Sequence, residues 1–113
     1  MAPLQTVVET PAYLAAARGA LSDTLRDSVV NTVAENPQAG VPLGGGLRKA
    51  CIARPGSGKR GGVRVVFLSA GEDIPVFLLT VFAKNERANL TAKERTVSIT
   101  AAKELTADYR RSP

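Results

Sequence analysis

The stretch from Val63 to Lys84 constrains the fold of this chain most. Val63 to Ser69 is rich in β-branched and aromatic residues, Gly71 to Asp73 supplies a turn, and Val76 to Lys84 is the most hydrophobic run of the chain. A connection this short joins antiparallel neighbours, because parallel strands need a crossover of a dozen residues or more. Leu47 to Arg54 fits a strand ahead of this pair. Strand alternation puts Arg48, Ala50, Ile52 and Arg54 on one of its faces and Leu47, Lys49, Cys51 and Ala53 on the other. Pro55 to Gly62 is a glycine-rich basic loop between these strands, and the whole reads as a meander.

Upstream the apolar period is helical. Leu4 to Val8 reads as a short opening strand. Thr10-Pro11 reads as an N-cap followed by proline at the first helical position, opening a helix to about Arg18 that Gly19 ends. Ser22 is a second N-cap, and Leu25, Val29 and Val33 form one apolar stripe behind it. Asn36-Pro37 stops that helix, and Pro42 to Gly46, with three consecutive glycines, is expected to be a loop. At the other end, Thr91 and Glu94 form a capping box that opens a helix toward Asp108, leaving Arg110 to Pro113 as a frayed tail. The predicted order is β-α-α-β-β-β-α. This is an α+β fold, with helices on one face of a mainly antiparallel sheet, in a single domain spanning residues 1–113.

Charge is distributed unevenly. From Met1 to Leu47 the bases are Arg18 and Arg26 and the acids Glu9, Asp23, Asp27 and Glu35, a net charge of −2. From Arg48 to Gly71 there are six bases (Arg48, Lys49, Arg54, Lys59, Arg60, Arg64) and no acid. That block alone exceeds the +5 of the whole chain and has the composition expected of a phosphate-backbone partner, although a solvated basic surface reads the same way. The chain has no histidine and a single cysteine, Cys51. Histidine catalysis, histidine- or thiolate-ligated metals and an internal disulfide are therefore excluded, no cofactor is expected, and Cys51 reads as a small core residue in a reducing cytoplasm. The longest near-apolar run, Ile74 to Ala83, contains a proline and is too short to cross a bilayer as a helix. Met1 to Thr10 lacks the basic start and apolar core of a secretory leader.

Three ordered blocks carry a family resemblance. Gly45-Gly46-Leu47-Arg48-Lys49, followed by Gly56-Ser57-Gly58-Lys59-Arg60-Gly61-Gly62-Val63-Arg64-Val65-Val66-Phe67, resembles the G-G-L-R-K, strand, G-x-G-K-R-G-G-x-R and apolar strand of HigB-like toxins in the RelE/ParE superfamily. Phe77-Leu78-Leu79-Thr80-Val81-Phe82-Ala83-Lys84-Asn85-Glu86 resembles their apolar strand ending in G-K-N-E. Leu90-Thr91-Ala92-Lys93-Glu94-Arg95 resembles the opening of their C-terminal helix. The resemblance covers roughly residues 45 to 105, and the N-terminal part agrees in layout only. It implies a microbial-RNase-like domain that cleaves mRNA in the ribosomal A site. It also implies a HigA-like helix-turn-helix antitoxin as partner, through which alone operator DNA is reached. The ParE branch of the superfamily offers an alternative, a non-catalytic inhibitor of DNA gyrase, and a third possibility is a degenerate relative that only binds its antitoxin or nucleic acid.

Metal-free RNA cleavage requires a base for the 2′-OH, a clamp on the phosphate, a partner for the developing charge and an acid for the leaving 5′-oxygen. Without histidine these roles fall to Arg, Lys, Tyr and carboxylates. Arg64 is the first candidate, as a phosphate clamp whose planar fork pairs two oxygens; it shares a strand face with Val66 and Leu68. Its plainer reading is a charge that protects a strand edge. Lys84, on the strand face of Leu78 and Phe82 by strict alternation, is the second catalytic candidate, and Glu86 the third, as a base or as the group that holds Lys84 or Arg64 in place. Arg48 and Arg54 share a face and Lys49 opposes them, so these three cannot all meet one substrate. Lys59 and Arg60 in the glycine-rich loop, together with Asn85, complete the expected RNA- and ribosome-binding set. That loop is not a P-loop, because glycine is missing at Ala53 and a hydroxyl at Arg60. The relatives' strand tyrosines are replaced here by Val65, Val66 and Phe67, and only Tyr13 and Tyr109 occur in the chain, which leaves tyrosine stacking and proton donation in question.

Overall fold

The computed structural model describes residues 4–53, 62–83 and 90–111. Strand β1 (Val7–Glu9) leads into helices α1 (Pro11–Ala17) and α2 (Asp23–Glu35). Strands β2 (Val41–Gly44), β3 (Leu47–Ile52), β4 (Val63–Leu68) and β5 (Val76–Ala83) follow, and then helix α3 (Ala92–Arg111). The five strands form one sheet in the order β1-β5-β4-β3-β2. The pairs among β2 to β5 are antiparallel, and β1 adds parallel to the outer side of β5, so the sheet is mixed.

The α+β class and the three-stranded meander read from the sequence are present, with one strand added. Residues expected to loop, Pro42 to Gly46, instead contain most of β2. Gly44 pairs with Leu47, and the two residues between them, Gly45 and Gly46, have φ of +62° and +86°. A two-residue hairpin with both central residues at positive φ matches the right-handed twist of its strands, and glycine enters that conformation at no steric cost. A Gly-Gly pair flanked by strand residues is itself a hairpin signal, so the sequence carried this information.

The helical caps form as the sequence requires. The Thr10 hydroxyl accepts from the Tyr13 amide and donates to the Leu78 carbonyl, and the Ser22 hydroxyl accepts from the Leu25 amide. Thr91 and Glu94 exchange both bonds of the capping box, at 2.9 and 3.1 Å. The α3 helix continues through Arg111, past the expected frayed end, and Arg110 donates to the Ala70 carbonyl.

The helices lie on both faces of the sheet rather than on one. Tyr13, Ala17, Leu25, Val29 and Val33 of α1 and α2 pack against Ala50, Ile52, Val63, Val65, Phe67, Val76, Leu78 and Val81. Ala102, with half-buried Ile99 and Leu105, brings α3 onto Leu47, Val66, Leu68, Leu79 and Phe82 of the opposite face. The physical reason is the run Val63–Leu68, apolar on both sides save at Arg64, which must be covered twice. A bulge also corrects the alternation expected in β5. Val66 pairs with Thr80 and Phe67 with Leu78, so Leu79 is an extra residue. Leu78 therefore points under α1 and α2, and Phe82 points to the other face.

Gly40 is the tightest backbone approach. Its φ is +75°, and a Cβ there would run into the Lys49 carbonyl oxygen. Gly40→Ala is expected to lower the unfolding free energy by about 3 kcal/mol. Gly19→Ala, where a Cβ meets nothing within 4 Å, should change it by less than about 1 kcal/mol. Urea denaturation of both variants checks the contrast.

Tyr13 is fully buried, and its hydroxyl has no hydrogen-bond partner among the described residues. Burial pushes its pKa from 10.0 up to about 12, with Glu9 adding to the rise and Arg26 opposing it. The folded protein thus holds this proton more tightly than the unfolded chain. The associated stability is complete below the unfolded value and is lost as pH rises through the folded one. Between about pH 10 and 12 the wild type should lose stability that Tyr13→Phe does not lose. At neutral pH that variant should be at least as stable as the wild type, because it removes a buried hydroxyl with no partner. Thermal unfolding across the pH range checks both.

Candidate nucleic-acid interface

Arg64 stands on the middle strand of the sheet, β4. Its cross-strand partners are Cys51 on β3 and Phe82 on β5. Directly opposed residues of antiparallel strands point to the same face, so these three side chains form a row on the face that α3 partly covers. Lys49 lies opposite Val66, one step along the same face and about 7–8 Å diagonally from Arg64. Helix α3 covers one end of that face and reaches Phe82 beside Arg64. Arg95 near its start donates to the Leu43 carbonyl, Ile99 lies by Gly45, and Arg110 near its end reaches Ala70. The end holding Leu47 and Leu68 is therefore roofed, and Cys51 beside Arg64 is exposed. Cys51 is not the core residue expected from its composition class, because the helix that would bury it does not reach it.

The Arg64 side chain is half-buried, its Nε is fully buried, and among the described residues that Nε has no hydrogen-bond partner. A guanidinium drawn out of water without a partner is unfavourable, and an anion seated on it would remove the penalty. The row Cys51-Arg64-Phe82 therefore presents a half-buried cation between an exposed Cys51 and a buried Phe82. Its planar donors suit two phosphate oxygens at once.

Arg48 has a different task. It lies on the face of Ala50 and Ile52, under α1 and α2. Its guanidinium donates to three main-chain carbonyls, those of Gln38 at 2.7 Å, Gly40 at 3.0 Å and Ala39 at 3.1 Å. These bonds fasten the α2–β2 connection to β3, and they turn Arg48 away from Arg64. Of the two neighbouring bases expected to contact RNA, it is Lys49 that shares the face of Arg64.

Arg54, Lys59, Arg60, Lys84, Asn85 and Glu86 lie outside the described residues. The described strand ends that flank them do meet. Ile52 pairs with Val63, and Val63 pairs with Ala83, so the chain leaves β3, enters β4 and leaves β5 at the same end of the sheet as Arg64. The aromatic residues do not join this row as stacking platforms. Phe67 and Phe82 are buried, Tyr13 lies in the core of the other face, and exposed Tyr109 lies toward the opposite end, at α3's C-terminus.

A model of the RelE toxin of the RelE/RelB toxin-antitoxin system matches residues 13–111. The chain belongs to the RelE toxin family. It is thus a toxin of a toxin-antitoxin system, with an antitoxin as its partner. The match includes strands β2 to β5 and α3, and with them Arg64. Among the described residues, no helix of this toxin is long and apolar enough to cross a membrane.

The two arginines should separate cleanly on mutation. Arg48→Ala strands three carbonyls and is expected to cost about 1–3 kcal/mol of stability. Arg64→Ala removes a side chain whose Nε has no hydrogen-bond partner among the described residues and should change stability by less than about 1 kcal/mol. Urea denaturation of the two variants side by side checks the assignment.

Proposed function

We propose that this toxin is a ribosome-dependent mRNA endonuclease of the HigB-like branch, which cleaves mRNA in the ribosomal A site and so arrests translation in the cytoplasm. The observation that supports this most is the half-buried Arg64, whose buried Nε has no hydrogen-bond partner among the described residues, beside exposed Cys51. In the proposed reaction the 2′-oxygen of the nucleotide attacks the adjacent phosphorus in line, the bond to the 5′-oxygen breaks, and a 2′,3′-cyclic phosphate and a 5′-hydroxyl are left. Arg64 holds the non-bridging oxygens and stabilises the charge that develops on them. Lys84 and Glu86, which follow β5 in the sequence, are assigned the proton exchange at the 2′-hydroxyl and the leaving oxygen. Lys49, Arg54, Lys59, Arg60 and Asn85 are assigned to phosphates of mRNA and ribosomal RNA. A chain with no histidine and one cysteine carries out this step with cationic and carboxylate side chains, without a bound metal. A HigA-like helix-turn-helix antitoxin is the proposed regulator, and it brings the complex to operator DNA.

The test is primer extension on an mRNA in a purified translation system, with and without ribosomes. Cuts are expected only with ribosomes, and Arg64→Ala should reduce them by about 100-fold or more while antitoxin binding is retained. Ribosome affinity should fall steeply with salt, because each phosphate contact releases counterions. A fully active Arg64→Ala removes Arg64 from the site. The absence of an exposed aromatic beside Arg64 among the described residues favours a second reading, the ParE-like gyrase inhibitor. Growth arrest without any cuts, together with inhibited supercoiling, would select it.

A further inference from the structure

We propose that a cleft at the opposite end of the sheet from Arg64 is a docking site for a basic segment of the antitoxin, taking an arginine or lysine side chain with an apolar neighbour. The cleft holds about 530 Å³ and is formed where four parts of the chain meet. These are the residues before β1, the end of α2, the β4–β5 turn and the last turns of α3. It begins at Ser69, five residues beyond Arg64, or about 16 Å along the strand. Its floor is held in place. The Gln5 side chain donates to the Ile74 carbonyl at 2.8 Å and reaches those of Gly71 and Glu72, and the Gln5 amide is tied to the Ala34 carbonyl at 3.0 Å.

Its lining is acidic. Glu35, Glu72 and Asp73 line it, no lysine or arginine is among the lining residues, no ion pair joins these acids among the described residues, and Arg110 at the rim donates to the Ala70 carbonyl at 3.3 Å. Glu35 is also the last residue of α2, so its carboxylate adds to the negative end of that helix dipole. In a chain of net charge +5, this is a local negative field that repels RNA and attracts a cation. Exposed apolar surface borders the same carboxylates. Leu4 is 70% exposed and Tyr109 44%. An arginine or lysine stem packs on such surface while its charge faces the acids, and the Tyr109 ring offers a cation–π contact. Leu4 gives a free hydrated cation little to bind, whereas a polypeptide covers it with the side chain next to its base. That pairing of needs selects a protein segment. The inference rests on membership of the toxin family, which brings an antitoxin, and not on the RNA-cleavage reading.

The probe is a capped peptide, leucine-arginine-alanine-arginine-leucine, titrated into isotopically labelled toxin and followed by amide chemical shifts. Shifts centred on Gln5, Glu72, Asp73 and Tyr109 are expected, weakening with salt. Glu72→Lys with Asp73→Lys should reduce peptide affinity by about tenfold or more, and so should Tyr109→Ala, an exposed position where folding is not at risk. The same variants should weaken binding of the purified antitoxin, while Arg64→Ala binds the peptide as the wild type does. Loss of docking and loss of cleavage are thereby separate readouts. Equal shifts from spermidine would make this a small-cation site and overturn the proposal. It would also be overturned by a single-stranded oligoribonucleotide that shifts the same amides, by a peptide that shifts none of them, or by an antitoxin affinity that the variants leave unchanged.

Discussion

Burial of β4 on both faces is the constraint on which the rest of the structure depends. Val63, Val65 and Phe67 go under α1 and α2, and Val66 and Leu68 go under α3. A strand apolar on both sides has to sit centrally and be covered twice, which fixes its place in the middle of the sheet and requires a helix on either side. Arg64 is the one residue of β4 that is not buried. It stays half-buried there, with Phe82 covered on one side of it and Cys51 exposed on the other, because α3 lies over the Leu47–Leu68 end and reaches only as far as Phe82. The packing requirement of the strand and the position of the helix together create the half-buried cation. A helix displaced toward Arg64 would have to be matched by an acid or by an apolar residue in its place.

The two ends of the sheet therefore differ in character. At one end the strands deliver Arg64, Lys49 and the flanks of the basic glycine-rich loop. At the other, the β4–β5 turn, the α2 terminus and the last turns of α3 gather Glu35, Glu72 and Asp73. Under the proposed function, a chain that approaches polyanionic RNA with one end and is held by its antitoxin at the other benefits from keeping the two potentials apart. Opposite fields at opposite ends orient the molecule on approach, and neither interface has to be dismantled for the other to form.

Much of this was legible in the sequence, and the gaps have identifiable causes. The caps at Thr10, Ser22 and Thr91 are local, since each joins a side chain to an amide three residues away, and all three were read correctly. The stripe Leu25, Val29 and Val33 was equally readable, because helix periodicity depends only on the chain itself. What could not be read depends on partners distant in sequence. The Leu79 bulge exists only in the register of β5 against β4, and it reverses the face of every residue before it relative to those after. Cys51 has the composition of a core residue and is exposed because of where a helix forty residues later comes to rest. The family resemblance read from residues 45 to 105 held at the level of the RelE toxins.

The clearest example is the basic block itself. In sequence Arg48, Lys49 and Arg64 belong to one uninterrupted positive stretch, and charge counting treats them as equivalent. Strand geometry does not. Adjacent residues on β3 face opposite ways, so Arg48 turns under the helices and spends its donors on the carbonyls of residues 38 to 40. Lys49 turns to the other side, where the antiparallel register brings it near Arg64 across fifteen residues of chain. Clustered charge therefore names a partner class but not an interface. The interface is set by which bases the pleat leaves on the open face and by which of those the fold has not already paired. Among the described arginines of this block, Arg64 stands on the α3 face with its Nε unpartnered among the described residues, and Arg48 stands on the other face with its donors on main-chain carbonyls.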